Sequence, residues 1–285
     1  MASTADPLVA PSATMMPGKA GESTSRAVAW ATGTLALASW VSTSLFAAYI
    51  LVFYIGALPA GTMQDWNKVL PRLYEPNAIA STSAMAVHLV LGAVLLILGP
   101  IQFVQRIRRR VPFLHRWIGR VYGLSALGAG LGGLGFVLGR GTVGGPMMSI
   151  GFGLYGALMS VAAVQAMRHA WRRRLALHRA WAIRLFALVI GSWLYRMDYG
   201  IWLKLAGGLG HSPGFDGPFD CVMDFFFFVP NLVVAELLIR AGRPEVAPAM
   251  RWAGIASLYA AAGFIALATF LFGRSYWIPH ILARL

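Results

Sequence analysis

The chain has 285 residues, 58% of them hydrophobic and only 12% charged, with a mean hydropathy of +0.65. These values exclude an ordinary soluble domain and point to an integral membrane protein. A formal net charge of +14 would suggest nucleic acid as a partner in a soluble chain. Here the basic residues gather in short segments between apolar runs, where the lipid bilayer and topology signals account for them, so no nucleic-acid partner is expected. The single cysteine, Cys221, excludes an intrachain disulfide, a zinc knuckle and a CxxC redox site.

Residues 1–26 are rich in Ser, Thr, Ala, Pro and Gly and lack an apolar run long enough for a signal-peptide core, which predicts a disordered tail. Residues 27–285 read as a single transmembrane domain. Crossing the hydrocarbon layer takes about 20 apolar residues per helix. Seven stretches qualify, at 27–58, 79–104, 118–138, 147–167, 180–205, 219–239 and 252–272. The fifth and sixth carry carboxylates, and ionisable groups inside a membrane are costly enough to single those two out for function. Arg106, Arg108, Arg109, Arg110 and Arg116 lie between helices two and three. Arg168, Arg172, Arg173, Arg174 and Arg179 lie between four and five, and Arg240, Arg243 and Arg251 between six and seven. The positive-inside rule makes these loops cytoplasmic, with the tail inside and Leu285 outside. Trp117 and Trp181 at one face, and Trp193, Tyr195, Tyr199 and Trp202 towards the other, fit interfacial aromatic belts.

An internal repeat organises the middle of the chain. The segment from Gln102 to Arg116 aligns without gaps on that from Gln165 to Arg179, matching Gln with Gln, paired arginines, and Leu114-His115-Arg116 with Leu177-His178-Arg179. One inserted residue then brings Trp117, Arg120 and Tyr122 onto Trp181, Arg184 and Phe186. The prediction is an all-α membrane protein whose helices two to five form a four-helix bundle built from a parallel repeat of two helical hairpins. In such a bundle helices three and five are diagonal. His115 and His178, which begin them, would face each other on the cytoplasmic side, with Arg116 and Arg179 beside them and Arg120 and Arg184 one turn further in. Facing imidazoles can ligate haem iron from both sides while arginines pair with its propionates. The plainer reading is a His-Arg pair that caps a helix and snorkels to headgroups.

Other residues carry open alternatives. His88, alone in helix two, reads either as a hydrogen-bonded core residue or as part of an outer polar pocket with Arg196, Asp198, Asp220 and Asp224. In the plainer version Arg196 pairs with a carboxylate and locks two helices. Pro230 places a kink near Phe226, and Glu236 can accept protons, pair with Arg184, or pair with Arg240 at i+4. A G-x-G-x-x-G at Gly128, Gly130 and Gly133 has no preceding strand and fails as a dinucleotide site. Gly128 with Gly132, and Gly135 with Gly139, instead fit close helix packing.

GPIQF at 99–103, LHRWIGRVYGL at 114–124, LHRAWAIRLFAL at 177–188 and PNLVVAELLIR at 230–240 resemble domain-of-unknown-function family 2306 of predicted bacterial membrane proteins. The resemblance covers roughly residues 80–240 and implies a membrane location. More loosely the arrangement is similar to b-type cytochromes of the b561 kind, in which helix pairs two-four and three-five each hold a haem. Helix four departs from that pattern: it has no histidine, and Gly151 stands at the position equivalent to His88. Two functions follow as expectations. The first is electron transfer from quinol or a cytoplasmic donor through a haem b on His115 and His178, with Arg116 and Arg179 flanking. The second is a non-redox transporter or assembly factor with a polar pathway through His88, Arg196 and Asp224.

Overall fold

A computed structural model describes residues 19–69, 73–241 and 247–284. Among the described residues it is all-helical, and seven helices are long and apolar enough to cross a membrane. They are α1 (Arg26–Ala60), α2 (Ile79–Ile101), α3 (Pro112–Arg140), α4 (Gly145–Trp171), α5 (Leu175–Ala206), α6 (Pro218–Arg240) and α7 (Pro248–Leu282). Each expected span is present, and most are longer than apolarity alone indicates. Helical backbone leads into α1 from Lys19. The expected disordered tail is therefore helical over its last residues, beginning just after Pro17, the final proline of that segment. Residues 1–18 of the tail lie outside the described residues. Helix α3 begins at Pro112, which suits a first helical position because its missing N–H would have no intrahelical partner. Helix α7 continues past Phe272 through a π-helical turn at Gly273–Trp277, where Trp277 is buried with its ring 5.4 Å from Phe46.

Helices α2, α3, α4 and α5 pack in sequence order, and α2 closes the ring against the first half of α5. The diagonal placement of α3 and α5 follows from this order. Helix α1 lies against α2 and α7, while α6 packs its first half on α4 and its second half on α5 and α7. Close approach of α2 and α3 depends on small residues: a Cβ added at Gly128 would lie 2.6 Å from Leu91, one at Gly132 3.1 Å from the Ala84 carbonyl, and one at Gly139 3.3 Å from Ser81. Gly135, expected to join this contact, has nothing within 4 Å.

Two spans are interrupted at neighbouring depths. Helix α5 breaks at Ile190, between Leu175–Val189 and Gly191–Ala206. Helix α6 breaks at Phe227 and Phe228, between Pro218–Phe226 and Val229–Ala241, where Pro230 removes a backbone donor as the sequence predicts. Tyr155 of α4 donates its hydroxyl hydrogen to the Leu188 carbonyl at 2.9 Å beside the first break, and Asn231 donates to the Phe227 carbonyl at 2.7 Å in the second. Backbone polar groups in a membrane need such partners. Phe227 and Phe228 are buried against Tyr155, so they belong to the protein core.

Candidate functional site

The arginine-rich end of the bundle gathers a set of partly buried imidazoles and amides. His115 and His178 lie one turn inside α3 and α5, because both helices start earlier than their apolar runs. The Nδ1 of His178 lies 2.9 Å from the Ala166 carbonyl on α4. A carbonyl only accepts, so Nδ1 carries a proton, and in the neutral ring Nε2 is the acceptor. His115 is within electrostatic range of His178, and His178 of His169 in the last turn of α4. His115 Nδ1, His169 Nδ1, Gln102 Nε2 and Gln165 Oε1 are all buried atoms with no hydrogen-bond partner among the described residues. Buried polar atoms without a partner are uncommon in folded proteins.

Charged residues surround this set. Arg116 and Arg179 are exposed. Arg120 lies over the Trp117 ring at 4.9 Å, and Arg184 over the Trp181 ring at the same 4.9 Å. Arg184 Nε also donates to Glu236 Oε1 at 2.5 Å, so of the pairings left open for Glu236 the one with Arg184 is formed, and it ties α5 to α6. Deeper in the bundle Tyr122 and Phe186 close over Gly99, where an added Cβ would lie 3.2 and 3.0 Å from their rings. His169 carried no sequence signal, since it sits among loop arginines, and the two glutamines entered only as marks of the repeat. Among the described residues no group of three or more His, Cys, Asp or Glu side chains is placed to hold a metal ion.

The polar residues nearer the opposite end do not form the single pocket that their sequence positions suggest. His88 Nδ1 is 2.9 Å from the Ala129 carbonyl on α3, with the ring seated against Gly133. Arg196 donates to the Ser192 carbonyl at 2.7 Å and lies over the Phe46 ring at 5.4 Å. It makes no ion pair with a carboxylate among the described residues, which corrects the expected Arg196 lock. Helical phase explains the correction: Tyr195 and Tyr199 turn one face of α5 towards Asp220 and Asp224, whereas Arg196, about 100° further round, faces α1. Asp224 is buried, its Oδ1 has no hydrogen-bond partner among the described residues, and its backbone presses on Gly151 of α4. Asp198 is half-buried and has no hydrogen-bond or ion-pair partner among the described residues.

Asp220 has a different role from the one expected. Its fully buried carboxylate accepts from Tyr199 at 2.7 Å, His211 Nδ1 at 2.7 Å, and the backbone N–H groups of Ser212 and Gly217 at 2.9 Å each. It therefore pins the loop between α5 and α6, through a histidine that sequence spacing gave no reason to select. Trp193, Tyr195 and Tyr199, expected in an aromatic belt, are buried in the core instead. Near the end of α7, hydrogen bonds from Lys68, at 2.7 Å, and from Arg284 hold the Asp65 carboxyl below the usual aspartate range.

No curated protein matches the chain, and no solved structure does either. The family described as Predicted membrane protein (DUF2306) matches residues 85–239, a stretch that runs from α2 to α6 and contains His88, His115, His178, Arg196, Asp224 and Glu236. By this match over more than half of its length, the chain belongs to the predicted membrane protein family DUF2306.

Proposed function

We propose that this DUF2306 protein transfers electrons in the bacterial cytoplasmic membrane through a haem b held between His115 and His178. The observation that carries the reading is the pair of imidazoles on diagonal helices, in electrostatic range of each other. The tautomer of His178 is fixed by Ala166, which leaves Nε2 available. A backbone partner on the remote nitrogen is the usual way a protein orients a ligating histidine. His115 contributes a second ring with a buried nitrogen that lacks a hydrogen-bond partner among the described residues. His88 has the same backbone bond on Nδ1, but across the ring α4 has Gly151 at the equivalent position, and its histidine, His169, lies in the last turn at the arginine-rich end, so one haem is proposed and not two.

A haem bound there would supply a one-electron couple. The chain's own residues would do the rest. Arg116 and Arg179, exposed at the arginine-rich end, provide guanidinium groups for the propionates. Phe186, edge-on to Phe103 with ring centroids 4.9 Å apart, and Tyr122 wall the site from the membrane centre. The matching Arg-over-Trp contacts at 4.9 Å in α3 and α5 support the two-hairpin repeat that places the histidines. In this reading the arginine-rich end faces the cytoplasm, the end of α7 faces outward, and quinol or a cytoplasmic donor is the electron source. The transporter or assembly-factor reading has less behind it, because Arg196 and Asp224 turn towards different helices.

The test is the absorption spectrum of protein purified from haem-replete cells. A haem band that shifts on dithionite reduction is expected, lost in His115→Ala and in His178→Ala and retained in His88→Ala. A folded, colourless protein would overturn the proposal.

A further inference from the structure

The haem reading leaves Asp220 and Asp224 of α6 unused, and these two carboxyl groups, one helical turn apart, have opposite surroundings. Asp220 accepts from Tyr199, His211 and two backbone N–H groups, a set of donors that holds it as a carboxylate. Asp224 is only 1% exposed, and its Oδ1 has no hydrogen-bond partner among the described residues. It stands about 9 Å deeper in the span than Pro218, at a rise of about 1.5 Å per helical residue. A buried carboxylate without a donor is costly unless it carries a proton. The described neighbours of Asp224 offer no cation in its place: α4 presents Gly151, α5 presents Tyr195, and Arg196 turns to the Ser192 carbonyl and the Phe46 ring.

A line of polar side chains joins Asp224 to the end of the molecule opposite the arginine-rich loops. Tyr195 is in electrostatic range of Asp224 and interacts with Tyr199, and the two tyrosine rings lie 4.7 Å apart, centre to centre. The Tyr199 hydroxyl donates to Asp220 Oδ1 at 2.7 Å, and His211 Nδ1 lies 2.7 Å from the same oxygen. His211 sits in the loop between α5 and α6 with its side chain 19% exposed, so it meets water. In the other direction the line stops. Phe227 and Phe228, which follow Asp224 along α6, are buried, and the Tyr155 hydroxyl is committed to the Leu188 carbonyl. A hydroxyl both donates and accepts, so each tyrosine can take a proton on one side and release one on the other, which a phenylalanine ring cannot do.

We propose that Asp224 is an intramembrane proton-binding site, reached from the end opposite the arginine-rich loops by way of His211, Asp220, Tyr199 and Tyr195. His211 takes a proton from water and passes one to Asp220. Tyr199 and then Tyr195 each accept one and give up their own, so that a single proton enters, Asp224 changes from carboxylate to carboxylic acid, and every group between returns to its starting state. The test is infrared difference spectroscopy of the full chain in detergent, which follows the carboxylic-acid C=O band through a pH titration and after a rapid pH jump. A band that grows on acidification is expected, absent in Asp224→Asn. If that variant does not fold, a displaced band in Asp224→Glu makes the same assignment. In Tyr195→Phe, which keeps the ring and leaves the loop contacts of Asp220 in place, the band should reach its full amplitude about tenfold or more slowly than in the wild type, and likewise in Tyr199→Phe. A band unchanged by both Asp224 substitutions overturns the site, and an Asp224 band that develops at the wild-type rate in both tyrosine variants overturns the path.

Discussion

Replacing Gly151 by Ala puts two opposing effects in competition. In a helix interior alanine is favoured over glycine by about 0.8–1 kcal/mol. At Gly151, however, the new Cβ would lie 2.4 Å from the Asp224 carbonyl oxygen and 3.0 Å from the Asp224 Cβ. The first is about 1 Å inside van der Waals contact, and the blocking atom is backbone, which cannot rotate away. Helices α4 and α6 must separate, loosening the packing of Phe152 and Tyr155 on Phe227 at 5.0 and 4.9 Å. Overpacking of this kind costs about 1–3 kcal/mol, so the net expectation is a destabilisation of about 0–2 kcal/mol. Gly153, on the same helix with nothing within 4 Å, is the internal control, and Gly153→Ala should be neutral or stabilising by up to about 1 kcal/mol. Thermal unfolding of both variants in one detergent measures the difference. If Gly151→Ala is as stable as Gly153→Ala, the close α4–α6 contact is wrong.

Asp220→Asn should cost about 2–4 kcal/mol, because an amide cannot accept from His211, Tyr199 and two backbone N–H groups as a carboxylate does, and amide exchange at Ser212 and Gly217 should speed up. Asp65 has its folded pKa lowered, so its contribution to holding Arg284 is present above the ordinary aspartate value of 3.8 and is lost as pH falls through the lower folded value. Acid should therefore loosen the α7 end, read by hydrogen exchange at residues 278–284, and Asp65→Asn should remove that pH dependence. Reporter fusions between α2 and α3 and between α4 and α5 should read cytoplasmic, and fusions after Gly61 and Gly141 external, since the arginines cluster in the former loops.

The seven spans were legible because about 20 apolar residues are needed to cross the bilayer and little else in the chain is that apolar. Their ends were not, because helix geometry outlasts apolarity. Arg274 and Ser275 look like the end of a span, yet the helix carries on to bury Trp277. The depth of each residue along its helix allowed the Arg184–Glu236 pair but did not choose it over Arg240 at i+4. The failure of Arg196 to pair could not, since depth says nothing about which way a side chain turns. Asp220 and His211 meet across a glycine-rich loop whose path the sequence does not encode in any periodicity.

The most direct test of the account is the amount of haem b per polypeptide chain, measured as the pyridine adduct of purified protein from haem-replete cells. One haem per chain is predicted for the wild type and for His88→Ala, and less than about a tenth of that for His115→Ala and for His178→Ala, because a single remaining imidazole leaves the iron without its second axial ligand. Equal haem content in all four proteins, or none in a folded wild type, would contradict it.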